Sequence, residues 1–123
     1  MSKLSNKQGC NRPLVSIIMN CYNSREYLTE AIDSIVAQTY QNWEIIFWDN
    51  CSDDGSDLIF KSYKDPRLKY FMAPKFTTLG AGRNLALEKV NGDYIAFLDC
   101  DDVWYATKLE KQLPIFIDNE VGL

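Results

Sequence analysis

The sequence predicts an α/β fold built on a doubly wound, mainly parallel sheet, and three observations carry that prediction. Near-continuous apolar runs recur at Leu14 to Met19, Trp43 to Trp48 and Tyr94 to Leu98, the pattern of strands covered on both faces. Amphipathic helical patterns alternate with these runs. The connections between them are too long for hairpins, so successive strands run parallel through right-handed crossovers.

The elements follow in order. Leu14-Val15-Ser16-Ile17-Ile18-Met19 is expected to be a central strand. Asn23 and Ser24 offer N-cap side chains to a helix in which Tyr27, Leu28, Ala31, Ile32, Ile35 and Val36 line one face and Glu26, Glu30 and Asp33 face water. That helix should end near Gln38. Trp43 to Trp48 forms a second buried strand, and the polar stretch Asp49 to Ser56 is a loop rich in turn residues. A short helix from about Asp57 to Tyr63 leads to a third strand, Leu68 to Met72. After the loop Ala73 to Thr78, Gly80-Ala81-Gly82 opens a helix to about Val90, which Asn91-Gly92 terminates. Tyr94 to Leu98 is the fourth buried strand and runs directly into Asp99, Asp101 and Asp102. A last helix over Thr107 to Phe116 should be bent or shortened by Pro114.

Composition limits what such a domain does. The chain has 123 residues, 46% of them hydrophobic and 13% aromatic, enough for one packed core and against disorder. Residues 1–12 read as a flexible tail and 13–123 as the domain. The 13 basic and 17 acidic residues leave a net charge of -4 with no Lys/Arg run, so no nucleic-acid partner is expected. No stretch approaches the roughly 20 apolar residues a bilayer demands, and Met1 to Arg12 lacks the apolar centre of a signal peptide. A cytoplasmic location follows as the expectation, with peripheral attachment to the inner face of the membrane as its variant. The four cysteines, at 10, 21, 51 and 100, form no CxxC pair and the chain has no histidine, so free thiols in a reducing compartment are expected. Cys21, Cys51 and Cys100 nevertheless each follow an apolar run, and adjacent parallel strands would bring them close. A thiolate metal site is the alternative there.

In sheets of this kind ligands bind outside the carboxyl ends of the strands. Asn20, Tyr22 and Asn23 follow the first strand, Asp49 and Asn50 the second, and Asp99, Asp101 and Asp102 the fourth, so neighbouring strands would gather them in one crevice. Hard divalent cations take several oxygens in a small volume, which makes Asp99-Cys100-Asp101-Asp102 a metal-site pattern. The alternative is that these aspartates cap the following helix. Gly80-Ala81-Gly82-Arg83-Asn84 lacks the G-K-S/T ending of a nucleoside triphosphatase loop. Arg83 at a helix start suits a phosphate, or pairs with a neighbouring aspartate. Tyr22 either stacks on a planar base or fills a gap. Trp48, Trp104 and Phe97 are read as core or site wall.

Taken together, Val15-Ser16-Ile17-Ile18 leading into Tyr22-Asn23, Ser34 to Tyr40, Trp43-Glu44-Ile45-Ile46 leading into Asp49 and Ser52 to Ser56, Ala81-Gly82-Arg83-Asn84 and Gly92 to Asp102 resemble family 2 of the inverting glycosyltransferases. Several motifs in family order are far more specific than any one of them. The resemblance runs from Pro13 to about Lys111 and implies a Rossmann-like, A-type glycosyltransferase fold, here truncated: a nucleotide-sugar-binding part with the acceptor half missing.

By resemblance, Asn20 and Tyr22 line the nucleobase and ribose pocket, and Asn23, by its place at the same strand end, is read as a further donor-binding residue. Asn50 sits where many relatives use an aspartate for the base, and Arg83 lies near the phosphates. Asp99 would hold ribose or metal, and Asp101 would ligate Mn²⁺ or Mg²⁺ bridging the diphosphate. No catalytic residue is assigned, because the general base is expected in the second half. Two departures stand out: many relatives have proline at the position of Asn20, and Asn50 replaces an acid. An amide offers one donor and one acceptor side by side, which matches uracil's N3–H and O4 and not guanine's two donors. A uridine diphosphate sugar is therefore the expected donor, with thymidine unresolved from uridine. The acceptor would be an unknown glycan, a lipid-linked molecule or a protein. Apolar groups around Trp104 and Ile115, on the face towards the missing half, suggest a homodimer. Two rival functions are a binding module without turnover and a phosphohydrolase of the haloacid dehalogenase type, whose D-x-D-x-T/V motif Asp99-Cys100-Asp101-Asp102-Val103 matches and in which Asp99 would be the nucleophile.

Overall fold

The computed structural model describes residues 2–3 and 13–119. In chain order the elements are β1 (Ser2–Lys3), β2 (Val15–Cys21), α1 (Arg25–Val36), β3 (Trp43–Asp49), α2 (Ser56–Lys61), β4 (Leu68–Met72), α3 (Leu79–Leu87), β5 (Tyr94–Phe97) and α4 (Lys108–Asn119). The sheet order is β1-β5-β2-β3-β4. β5, β2, β3 and β4 pair in parallel, as the apolar runs predict. Two-residue β1 adds an antiparallel edge beside β5, so this part of the expected loose tail is paired, and the rest of the tail lies outside the described residues.

Side-chain alternation divides the core into two layers. Val15, Ile17 and Met19 of β2, with Trp43, Ile45 and Phe47 of β3, face the layer formed by α1, α2 and α4. Ile18, Ile46, Trp48 and Ile95 point the other way, onto Ala86 of α3. Burial on both faces explains why these strands read as unbroken apolar runs. Truncating a wholly buried residue such as Ile17 should cost about 2–5 kcal/mol.

Three expectations are corrected. Tyr27 and Val36 do not join the buried stripe of α1; the stripe is centred on Leu28, Ala31, Ile32 and Ile35, and the two outer residues fall at its margins and are exposed. The final helix continues through Pro114 to Asn119. Proline removes one backbone donor there, while Leu109 and Leu113, buried in the preceding turns, anchor the helix against the core.

The cysteines form the third correction. Cys21, at the end of β2, and Cys100, just past β5, are joined in a disulfide with Cα atoms 5.8 Å apart, so they are not free thiols. Adjacent parallel strands bring them together, as their positions suggested. Cys51 keeps its thiol, which donates to the Ala73 carbonyl, and no three-thiolate site is formed. Trp104 is partly buried against the core. Among the described residues, no helix is long and apolar enough to cross a membrane.

Candidate functional site

The site lies at the carboxyl ends of β2, β3 and β5. There Cys21 of β2 accepts a hydrogen bond from the Asn50 N–H at 2.8 Å, and the Cys21–Cys100 bridge ties β2 to the loop after β5. Tyr22 and Asp99 to Asp101 therefore flank a single covalent cross-link. Tyr22 is 50% exposed, so it does not fill a core gap. Its ring meets that of Phe76 edge to face, with centroids 5.0 Å apart.

Asn23 adopts the left-handed conformation (φ 48°) and faces the next loop. Its Oδ1 accepts from the Asp53 N–H, and its own N–H donates to Ser52 Oγ, each at 2.9 Å. Asp54 in turn accepts from the N–H of Arg25, which begins α1, and from the N–H and hydroxyl of Ser56. Burial pushes the Asp54 pKa up, but the bonds from Ser56 and Arg25 outweigh it and hold the carboxyl below its ordinary range. The Ser52 to Ser56 motif thus fastens the start of α1.

Asp49 and Asn50 play different parts from the ones their positions suggested. Asp49 is fully buried and accepts from the Ser52 N–H at 2.8 Å and the Tyr70 hydroxyl at 2.5 Å. Burial and the Asp49 contact together push the Tyr70 pKa up. Asn50 is 5% exposed, and its amide is spent on one residue. Nδ2 donates to the Thr77 carbonyl at 2.8 Å, while Oδ1 accepts from the Thr77 N–H at 3.0 Å and hydroxyl at 3.3 Å. The edge expected to read a base is therefore closed onto the loop before α3.

Thr78 caps α3, accepting from the Ala81 N–H at 3.3 Å. The helix start then packs so closely on β2 that a Cβ on Gly82 would stand 2.6 Å from Nδ2 of Asn20. Arg83, one residue on, reaches Asp99 at 3.4 Å and lies over the Phe97 ring at 5.2 Å. This is the aspartate pairing that the sequence offered as the alternative to phosphate contact, and both residues are substantially exposed.

Asp99, Asp101 and Asp102 are exposed, and each offers one oxygen within 4.8 Å of the others. Like charges at that separation repel, and a hard divalent cation would relieve them, so the donor set fits Mg²⁺ or Mn²⁺. The Asp102 N–H bonds the Asp99 carbonyl at 3.0 Å, turning the loop back on itself.

Sequence reasoning missed how this loop is held. Ser34 Oγ accepts from the Trp104 N–H at 3.2 Å, and the Thr39 N–H donates to the Ala106 carbonyl at 2.8 Å. Buried Gln38 donates to Tyr105 and accepts from the Leu109 N–H. Ser34 to Thr39 was visible as a motif; its partners, about 70 positions away, were not.

Three comparisons bear on what this site is. The profile of the family described as "Glycosyl transferase family 2" matches residues 16–123. An uncharacterized glycosyltransferase of Haemophilus influenzae is 46% identical over 113 residues, covering 90% of this chain and 45% of that protein. The Escherichia coli UDP-Glc:alpha-D-GlcNAc-diphosphoundecaprenol beta-1,3-glucosyltransferase WfgD is 38% identical over 109 residues, covering 89% and 43%. The chain thus spans less than half the length of these relatives. Among solved structures, Staphylococcus aureus TarS superposes with a TM-score of 0.81 at 27% identity, over 86% of this chain and 33% of TarS. Its complex with UDP-GlcNAc gives 0.77 at 30% identity, over 85% and 31%. The Pyrobaculum calidifontis mannosyltransferase PcManGT, in complex with GDP-Man and Mn²⁺, gives 0.70 at 25% identity, over 76% and 29%.

Proposed function

The chain belongs to glycosyl transferase family 2, and from that premise we propose that it forms the donor-binding part of a metal-dependent enzyme that transfers a sugar from a uridine diphosphate sugar to an acceptor hydroxyl with inversion. One observation carries the reading: three exposed carboxylates converge within 4.8 Å at the end of a buried strand, beside Arg83 and across the Cys21–Cys100 bridge from Tyr22. Family membership also removes the phosphohydrolase alternative for Asp99.

The roles follow from charge and position. Asp99 and Asp101 would hold the divalent cation, which would supply positive charge beside a leaving diphosphate. Arg83 exchanges its exposed contact with Asp99 for a phosphate oxygen, a stronger partner for a guanidinium. Tyr22 offers its half-exposed ring to the base. Asn20 and Asn23 border this pocket from the end of β2, with Asn23 shaping the loop more than touching the ligand. By resemblance, the proton of the acceptor hydroxyl goes to an aspartate or glutamate other than the residues named here.

Uridine is favoured because TarS is solved with UDP and with UDP-GlcNAc, whereas Asn50 no longer supports that choice by direct contact. The name of WfgD points to a diphosphate lipid as the acceptor class, which would bring the protein to a membrane surface. Thermal-shift titration in Mn²⁺ with UDP, TDP and GDP tests the donor: UDP should raise the melting temperature most. Greater stabilisation by GDP would overturn the uridine assignment.

A further inference from the structure

Phe76 stands out on this surface. A phenylalanine ring that is 61% exposed leaves apolar area in water, and such a ring at a binding crevice is more useful when something covers it. This one is not left to wander. Its neighbour Thr77 is gripped through carbonyl, N–H and hydroxyl by the buried amide of Asn50, and Thr78 caps α3 directly after it. The grip spans 27 positions of sequence and spends the whole hydrogen-bonding edge of Asn50 on a single loop residue. Its consequence is that Phe76 meets Tyr22 edge to face, at 5.0 Å and 76° between planes. Two rings so arranged form an aromatic corner, and both residues are at least half exposed.

We propose that Phe76 is the second wall of the nucleobase pocket and that Asn50 is the positioning residue that sets it there, acting through Thr77 and not by reading the base. The inference rests on Tyr22 being the base platform of the function proposed above. A planar base laid on the open part of Tyr22 brings its rim against Phe76, which buries the exposed rings and the base together. Aromatic walls of this kind recognise a base by its face and fit, so the corner contributes affinity for any pyrimidine of the right size. Discrimination between bases then falls to other groups.

Calorimetric titration in Mn²⁺ with UDP and, separately, with pyrophosphate separates base contacts from phosphate contacts. Phe76→Ala should weaken UDP several-fold to about ten-fold, the scale of one edge-to-face aromatic contact, and leave pyrophosphate unchanged, which also shows that the protein is folded. Phe76→Trp should keep UDP within about two-fold, since it retains a wall. Asn50→Ala should reproduce the Phe76→Ala pattern, and Asn50→Asp should restore part of it, because a carboxylate still accepts from the Thr77 N–H and hydroxyl. If Phe76→Ala leaves UDP binding unchanged while Tyr22→Ala weakens it, the second wall is refuted and the base platform survives. If neither substitution matters, the base lies elsewhere and both readings fail. Equal loss of UDP and pyrophosphate would also overturn the proposal.

Discussion

The side-chain amide of Gln38 accepts the Leu109 N–H at 3.1 Å and donates to the Tyr105 carbonyl at 2.6 Å, joining the end of α1 to the start of α4 across the segment that follows the three aspartates. Removing it strands the buried Leu109 N–H, while the Tyr105 carbonyl keeps the N–H of Lys108 at 3.0 Å. The lost partner costs about 1–3 kcal/mol. Gln38→Leu should therefore lower stability by roughly 1–3 kcal/mol in urea unfolding, and Mn²⁺ affinity should fall with it. Unchanged stability would show that the clasp is idle.

Glycines separate tight from open backbone positions. A Cβ on Gly92 would lie 2.5 Å from Ser16 Oγ and 2.7 Å from the Leu14 carbonyl, and backbone cannot step aside. Nothing lies within 4 Å of a Cβ on Gly80. Gly92→Ala should destabilise by about 2 kcal/mol or more, and Gly80→Ala should be neutral or stabilise by about 0.5 kcal/mol. Comparing the two melting curves checks both at once; similar losses would contradict the packing described at Gly92.

The Cys21–Cys100 bridge spans 79 positions, and a cross-link closing so long a loop stabilises by about 4 kcal/mol in the chain-entropy account. A phosphine reductant should lower the melting temperature of the wild type and leave Cys100→Ser unmoved. Peptide mapping after alkylation should find Cys21 and Cys100 blocked before reduction. Free thiols at both positions in air-oxidised protein would contradict the bridge.

Buried Glu44 sets a pH dependence. Burial pushes its pKa up, but the bonds from Lys69, Ser16 and Asn91 outweigh this and hold it below the ordinary value of 4.5. A depressed carboxyl stabilises the fold above that ordinary value, and the contribution is lost as the pH falls through the folded-state pKa. Wild type and Glu44→Gln should therefore differ most near neutrality and converge in acid when urea midpoints are followed with pH. A constant gap would remove Glu44 as the cause.

The sheet was legible because burial on both faces leaves strands such as Ile45 to Trp48 without polar interruption, a local signal. The aspartate cluster was legible for the same reason, since it follows directly on Tyr94 to Leu98. What escaped the sequence was long-range pairing. Asn50 read as a base contact because its position at a strand end is visible, while its three bonds to Thr77 depend on how a distant loop returns. The disulfide escaped for a similar reason: β2 lies between β5 and β3, so strand order puts Cys21 near both Cys100 and Cys51, and the choice depends on the loop that turns the Cys51 thiol onto the Ala73 carbonyl. Pro114 and the outer residues of α1 show local rules yielding to packing against the core.

In the proposed function the site holds a nucleoside diphosphate through a divalent cation carried by the strand-end aspartates. Calorimetric titration of UDP into the protein, with Mn²⁺ and then with excess chelator, tests it most directly when repeated on Asp101→Asn. UDP should bind in Mn²⁺ and weaken at least about ten-fold (1.4 kcal/mol) with chelator, and should bind weakly to Asp101→Asn under both conditions. UDP affinity that is the same with and without Mn²⁺, and unaltered in Asp101→Asn, would contradict it.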